Sequence, residues 1–547
     1  MKEHRICLLA LTAMLFSLPV FSLEVDEDEL KTTAQNDTIV FINYTGPHSK
    51  IDSLESIKKL GSDLGSAVAK DTSKSVSAGN SARYSVIHAV DPSETGKLDA
   101  DIILIGADAT VDHINNLRHI IASYLVSAYG YSEKDAETVA VFVTVYNAVY
   151  RGNIGTFQNK YKKVVTNNLS SDCGLSVNYK DWPGHSQIVI PLYDVNGGLS
   201  TVDTSVISDT QVVQHMQEDD DKNVESRKEM VDIKEREAEN ATQKAQESQK
   251  TAVQEQKKLN EQKQKTETAR QEAETAKKEA ETAKKVAEEN PDDKAAQEEA
   301  EQKQAVAEEK QENYEEQKTA EEEQQTVTDD AKQKAAEQQA VADKKTAEAQ
   351  EERKTIAQDQ AEVIKKEIEN AIAPSAYGIE LTNDSSLLSG LVKVNTATGE
   401  IIKTSPVTYI RNRTMFQAGE NFVAIAGENI RNGTVKLVLL SPDTMEITKE
   451  SNETVAEDSV LVQDSGEYYC IIEEKGKYRL AKYDSDLNLK LKSSVDVKSA
   501  TPVTVASNYV IVTGASGNVK VLNKTDLEEV NALKSAANTA ADVLNAK

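Results

Sequence analysis

The sequence predicts a multidomain protein: a mixed α/β or α+β N-terminal domain, a long coiled-coil helical middle, and an all-β C-terminal domain of propeller-like repeats. Three observations predict it. Between about Gln217 and Ala373, Ala, Glu, Gln and Lys displace nearly everything else, and small residues recur at heptad spacing. Before that segment, short apolar runs alternate with amphipathic stretches. After it, a strand–turn–strand pattern returns every 39 to 46 residues.

At the N-terminus, Lys2 and Arg5 precede an apolar run from Ile6 to Phe16, with Val20 and Ser22 as small residues before Leu23. This is the pattern of a secretory signal peptide over residues 1–22. Cys7 lies at the start of the apolar run, not after it, so lipidation is not expected. Cys173 and Cys470 then remain, too few for a disulfide framework. No other apolar run reaches the ~18 residues that suggest a membrane span.

Residues 23–215 read as a globular domain of mixed α and β structure. TIVFINY (38–44), DIILIG (101–106) and QIVIPLY (187–193) have strand length and composition. Ile114, Leu117, Ile121, Tyr124, Leu125 and Ala128 share one helical face, and Gly130 ends that helix. Ser132 caps a second helix carrying Val139, Phe142, Val143, Tyr146 and Val149. Trp182, the one tryptophan, sits in DWPGHSQ as a loop residue expected to cover the core.

The middle, 217–373, holds 44 acidic and 28 basic residues, no Gly, Phe or Trp, and Tyr314 as its one aromatic. A composition so charged fits either disorder or a long helix, and periodicity decides. Stepping 3 and 4 from Ala238 visits Ala241, Ala245, Ser248, Ala252, Glu255, Leu259, Gln262, Thr266, Ala269, Ala273, Ala276, Ala280, Ala283 and Ala287. A rougher seam follows through Ala296, Ala300, Ala307, Tyr314, Ala331, Ala335, Ala342, Ala349, Ile356 and Val363, so the second half should be the looser. Between them, Asn290-Pro291-Asp292-Asp293 stops one helix and starts another: Asn290 as N-cap, Pro291 in the first turn, the aspartates at the positive dipole end. Arms of similar length predict an antiparallel hairpin with a turn at 290–293 that returns Gln217 to the neighbourhood of Ala373. The alternative is a kinked rod whose seam must find a second chain, giving a homo-oligomer.

In residues 374–530, LVKVNTATGEII, LVLLSPDTMEIT, LAKYDSDLNLKL and VKVLNKTDLEEV are each a strand, a polar turn and a second strand. NFVAIAG, EYYCIIEE and NYVIVTG add a strand before the last three. Repeats of this length and content are those of propeller blades, with an antiparallel sandwich as the alternative. A C-terminal tail, 531–547, follows.

Chemistry is not visible. There is no phosphate-binding glycine loop, no H-E-x-x-H and no paired C-x-x-C. His113 and His119 are six apart and share no helical face, and the histidines read as surface or satisfied residues. Asp484-Ser-Asp486-Leu-Asn488 lacks the glycine and the bidentate Glu of a calcium loop, so a β-turn is expected. Asp219-Asp220-Asp221 reads as a solvated helix start. No catalytic, cofactor-binding or metal-ligating residue is assigned, and no cofactor is expected. A net charge of −28 excludes a nucleic-acid partner.

The stretch DADIILIGADATVDHINNLRHIIASYLVSAYGYSEKDAETVAVFVTVYNAVYRGN, followed by KYKKVV and DWPGHSQIVIPLYD, resembles the spirochaete high-molecular-mass antigen family, the eighty-three/one-hundred kilodalton antigens of Lyme disease spirochaetes. The order of parts is similar as well. The resemblance implies an envelope-associated immunogen, periplasmic or outer-envelope associated, and carries over no catalytic residue. The expected function is an exported, non-enzymatic structural or interaction protein whose helical spacer positions two globular domains, with an envelope or cell-wall partner. Two alternatives stand beside it: an enzyme, such as a hydrolase, in the N-terminal domain, and a ligand- or peptide-binding module on the C-terminal repeats.

Overall fold

A computed structural model describes residues 39–530 apart from 81, 82 and 196. The signal peptide expected at 1–22 and the tail at 531–547 lie outside the described residues. The N-terminal region is built on a four-stranded antiparallel sheet in the order β1 (Val76–Asn80), β2 (Tyr84–Ala89), β3 (Asp99–Ile105), β4 (Ser186–Leu192). Around it lie α1 (Leu54–Val68), α2 (Ile114–Tyr129), α3 (Glu133–Val149), α4 (Ile154–Lys160), α5 (Lys163–Thr166), α6 (Thr204–Ile207) and α7 (Thr210–Gln217). Gly130 ends α2 in the left-handed region at φ 74°, which costs a glycine nothing sterically. The Ser132 hydroxyl accepts the Asp135 amide to start α3. Trp182 is fully buried, its indole N–H donating to the Ser176 carbonyl at 2.6 Å. The strand expected at 38–44 is only an isolated bridge, Ile42 to Asn178. Its apolar residues serve a docked extended segment, which composition alone cannot distinguish from a sheet member.

The middle is two helices, α8 (Val224–Glu289) and α9 (Lys294–Ile372), packed antiparallel. The ion pairs Lys345–Glu237, Lys310–Glu272 and Lys303–Glu279, each 2.7 Å, share a midpoint at residue 291. Pro291 is therefore the point of reflection. The alanine seam is buried from Ala238 to Ala280 on α8 and at Ala335, Ala342, Ala349 and Ile356 on α9. Between Lys294 and Val327 no residue of α9 is fully buried, so the second arm packs more loosely than the first, whose seam stays buried out to Ala280. A buried methyl contributes little, about 0.8 kcal/mol per carbon. Cross-helix polar contacts add specificity: Gln262 donates to the Gln317 side chain at 2.9 Å and Gln249 to Gln339 at 2.9 Å.

Two expectations need correction. Asn290 is the C-cap of α8, its side-chain Nδ2 donating to the Val286 carbonyl at 3.0 Å and its backbone N–H to the same oxygen at 3.1 Å. The N-cap of α9 is Asp293, which accepts the Ala295 amide at 3.0 Å. A carboxylate at the dipole's positive end outcompetes the neutral amide three residues earlier. And Gln217 meets Asp359, at 2.7 Å, not Ala373. Gln217 ends α7, a separate helix of the head, and the chain breaks through Lys222 and Asn223, both at positive φ, before α8 begins. The second arm consequently overshoots the base by some 13 residues, about 20 Å of helix.

The C-terminal region is all antiparallel sheet. The first strand group is β5 (Ser375–Asn383), β6 (Leu388–Asn395) and β7 (Ile401–Thr404). The second is β8 (Ile410–Ala418), β9 (Asn421–Ala426), β10 (Lys436–Leu440) and β11 (Ile447–Glu450), joined to the first by one pair, Ser389 with Ile410. The third holds β12 (Thr454–Val455), β13 (Val462–Asp464), β14 (Glu467–Glu474), β15 (Lys477–Tyr483) and β16 (Leu489–Asp496). The fourth holds β17 (Thr504–Val505), β18 (Tyr509–Thr513) and β19 (Val519–Asn523). Strand alternation stacks these groups. In β9, Ala424 and Ala426 face the first group while Val423 and Ile425 face the third. In β14, Cys470 and Ile472 face the second group while Tyr469 and Ile471 face the fourth. Among the described residues no core cluster joins the fourth group back to the first. Asp484 closes a turn, its carboxylate accepting the Asp486 and Asn488 amides at 3.0 and 2.9 Å.

Two measurements check this arrangement. Cysteines placed by Glu272→Cys and Lys310→Cys should join through a short crosslinker within one chain, whereas Glu272→Cys with Lys303→Cys, one heptad out of register, should not. At the base, Arg227 is 4% exposed and held by Asp359 at 2.7 Å. Asp359→Ala strands that guanidinium and should cost about 3–5 kcal/mol in denaturant unfolding. Despite burial, hydrogen bonds from Gln217, Arg227 and Lys222 bring the Asp359 carboxyl down to about 2. Its folded value is depressed, so its stabilisation is present above about pH 4 and is lost as pH falls toward 2.

Candidate functional site

The N-terminal region and the β repeats meet at an aromatic junction. Tyr44 stacks 5.1 Å from Tyr409 and 6.1 Å from Tyr179, and the Tyr409 hydroxyl donates to that of Tyr179 at 3.3 Å. Burial pushes the Tyr44, Tyr179 and Tyr409 hydroxyls up, so all three stay neutral. The segment 427–434 of the β region closes over this cluster. The Thr434 amide donates to the Pro47 carbonyl at 3.1 Å, His48 bridges to Gly433, and Arg431 hydrogen-bonds the Ala109 carbonyl. Gly427 sits at φ 119°, and a Cβ there would come within 2.1 Å of the Thr434 carbonyl oxygen, so only glycine permits the loop to fold back.

Beside the junction is a cleft of about 320 Å³ between α1, the start of α2 and Asn432. Ile57, Leu60 and Ile120 form an apolar side, and His48, Arg83, Asp112 and His113 supply polar groups. His113 is the N-cap of α2: its Nδ1 accepts the Asn115 amide at 3.1 Å, which places the proton of the neutral ring on Nε2. Burial, then Arg118 and His48, lower its pKa and favour that neutral form. The Nδ1 of His48 lies 3.4 Å from Asp112, whose carboxyl burial raises and His48 lowers, with burial the larger effect. Arg83 donates to Thr110 Oγ1 at 3.1 Å. These groups can bind. Among the described residues, however, neither histidine hydrogen-bonds a hydroxyl or thiol. Ser56, the serine on the wall, is paired with Ser53 at 2.8 Å. The nucleophile–base pair that acyl transfer requires is not assembled there.

Deeper lies a polar cluster that resembles catalytic machinery and is sealed from solvent. His88 and Asp101 are both 0% exposed. His88 Nδ1 is 2.5 Å from Asp101 Oδ1 and its Nε2 is 2.9 Å from the Thr72 carbonyl. Tyr124 and Tyr129 donate to Asp101 Oδ2 at 2.6 and 2.5 Å. Both imidazole nitrogens face acceptors, so the ring is satisfied only as an imidazolium with two donors. Burial alone would lower the His88 pKa; Asp101, Thr72 and Asp99 outweigh it and raise it. The cluster ties β2 and β3 to α2, and its role is structural.

The sequence assigned no site residue, and the clusters at His48–Asp112 and His88–Asp101 were both missed. A signal for the second existed: His88 in YSVIHAV and Asp101 in DADIILIG are polar residues inside apolar strands, which implies pairing. Cys173 and Cys470 are buried free thiols whose pKa values burial raises. Among the described residues no three His, Cys, Asp or Glu side chains gather as a metal site. No described helix is long and apolar enough to cross a membrane.

Taken together, the fold defines a class: a helical hairpin joins a mixed α/β region to an all-β region, and the two meet at the hairpin's base. A family model, Borrelia P83/100 protein, matches residues 28–503, and the chain belongs to that family. No curated protein matches the chain.

His88 has a folded pKa above its unfolded value near 6.5, so its pairing stabilises fully below that pH and is lost as pH rises through the folded value. His88→Gln should cost about 3–5 kcal/mol at pH 6 by chemical denaturation. The gap from the parent protein should narrow as pH rises.

Proposed function

We propose that this chain is an exported, non-enzymatic structural or interaction protein of the cell envelope, in which the hairpin stands as a stiff spacer on a head formed jointly by the two globular regions. The hairpin is read as an antiparallel coiled coil and the β repeats as an open, propeller-like arc. One observation carries the proposal. Among the described residues, the hydrogen bonds and ion pairs from α8 to the head lie at Glu229, Arg236 and Glu237, with none beyond. From Ala238 to Glu289 the hairpin therefore extends free for about 80 Å. That much ordered helix touching only itself serves reach, and its charged faces suit a partner or a crowded aqueous space.

Membership of the Borrelia family supports the envelope setting. The junction cleft favours a second reading, small-ligand binding by the head, because it joins an apolar wall to His, Arg and Asp side chains. Fractionation of cells with protease added before and after outer-membrane permeabilisation tests the first reading. The expected result is a protein absent from the cytoplasm, with cleavage concentrated in the hairpin between Lys250 and Lys334. A wholly cytoplasmic protein would overturn it.

A further inference from the structure

Tyr84 opens β2 and is 4% exposed, yet among the described residues its hydroxyl makes no hydrogen bond. Every other buried tyrosine of the N-terminal region is bonded, from Tyr44 to the Pro47 carbonyl through to Tyr179 with Tyr409. Buried polar groups are paired as a rule, so the exception calls for an explanation. Tyr84 lines the cleft beside the junction, where a hydroxyl can serve a ligand instead of the fold. Burial pushes it up to about 12, so it stays protonated and able to donate.

The same wall holds other uncommitted donors. His113 accepts the Asn115 amide through Nδ1, which leaves its Nε2–H without a partner among the described residues. Lys50 has no ion pair there, and the Asn116 side-chain amide has no hydrogen bond. The acids of the wall are already answered, Asp112 by His48 at 3.4 Å and Asp52 by Arg83 at 3.8 Å. What remains open therefore donates, and Lys50 adds a positive charge. The rest of the wall is aliphatic, with Ile57, Leu60 and Ile120 joined by Ile51, which is 79% exposed.

We propose that this cleft binds a small amphipathic carboxylate, its head held by Tyr84, His113 and Lys50 and its aliphatic body lying on Ile51, Ile57 and Leu60. The proposal rests on the reading of the head as a small-ligand binder and names the class of ligand. A carboxylate only accepts, through two oxygens, which matches a wall whose open groups donate. An ammonium would need an acceptor, and both acids of the wall already face a base. A bare inorganic anion would leave the aliphatic side uncovered. Size narrows the class further. At about 30 Å³ per water-sized group, a cleft of about 320 Å³ holds about ten non-hydrogen atoms, the size of octanoate. Asn432 of the β region closes one side of the cleft, so a bound carboxylate also braces the junction of the two regions.

The test is isothermal titration calorimetry of the full chain with octanoate, octylamine and octanol. Octanoate should bind once per chain and weaken by about threefold for each CH₂ removed toward butyrate. Octylamine should not bind, and octanol should bind about tenfold more weakly than octanoate or worse. Tyr84→Phe breaks no hydrogen bond within the protein, so it should fold normally and weaken octanoate by about tenfold. Lys50→Gln, an exposed charge, should weaken it by about threefold. Octanoate binding that both variants leave unchanged would lie elsewhere and would overturn the proposal. Binding of octylamine or octanol without octanoate would overturn the carboxylate while leaving a head that binds small ligands. Silence from all three would overturn both.

Discussion

Chain reversal at Pro291 sets the geometry on which the remaining contacts depend. An alanine seam is nearly degenerate: sliding one helix past the other by a heptad exchanges one methyl for another and costs little packing energy. Something other than the seam must choose the register. The four-residue turn does so, with Asp293 capping α9 and Asn290 closing α8, and the pairs that share its midpoint hold the choice along the arms. With that register fixed, Asp359 arrives beside Gln217, Lys222 and Arg227 at the hairpin base, and the second arm runs on past it into the β region. The junction of Tyr44, Tyr179 and Tyr409 is then available to residues more than 200 positions apart in sequence.

Buried charge recurs at the points where elements meet. Arg227–Asp359 locks the hairpin base, and His88–Asp101 ties two strands to α2. Replacing such pairs by apolar side chains of matching volume is often neutral or stabilising, so their presence does not by itself explain stability. What they supply is intolerance of alternatives. A slipped hairpin leaves a guanidinium buried alone, and a shifted strand leaves an imidazolium facing carbon. For a protein whose longest element has a degenerate seam, such penalties distinguish one arrangement from its neighbours.

Much of the architecture was legible because periodicity reports it directly. The seam from Ala238 to Ala280, the end of α2 at Gly130, the cap at Ser132 and the strand pairs of the β repeats are all local patterns. What failed depended on competition or on distance. Asn290 and Asp293 are both good caps, and only the folded turn shows which helix each one serves. The segment at 38–44 has strand composition but finds no partner strand, because β1 to β4 complete their sheet without it. The clusters of the head were illegible for a different reason. His48 and Asp112 are 64 residues apart, and nothing local says that the fold brings them within 3.4 Å. The cleft also needs Asn432 from beyond the hairpin, so no single domain's sequence contains it.

Solution X-ray scattering of the monomer tests the central claim most directly, because the two architectures differ in length by more than any uncertainty in shape. The hairpin account predicts a maximum dimension of about 130–150 Å: α8 contributes about 100 Å and a head of this size adds about 40–50 Å. A kinked rod places α8 and α9 end to end and gives about 220 Å from the helices alone. A monomer profile extending past about 200 Å would contradict the reversal at Pro291, and with it the shared base and the junction of the two regions.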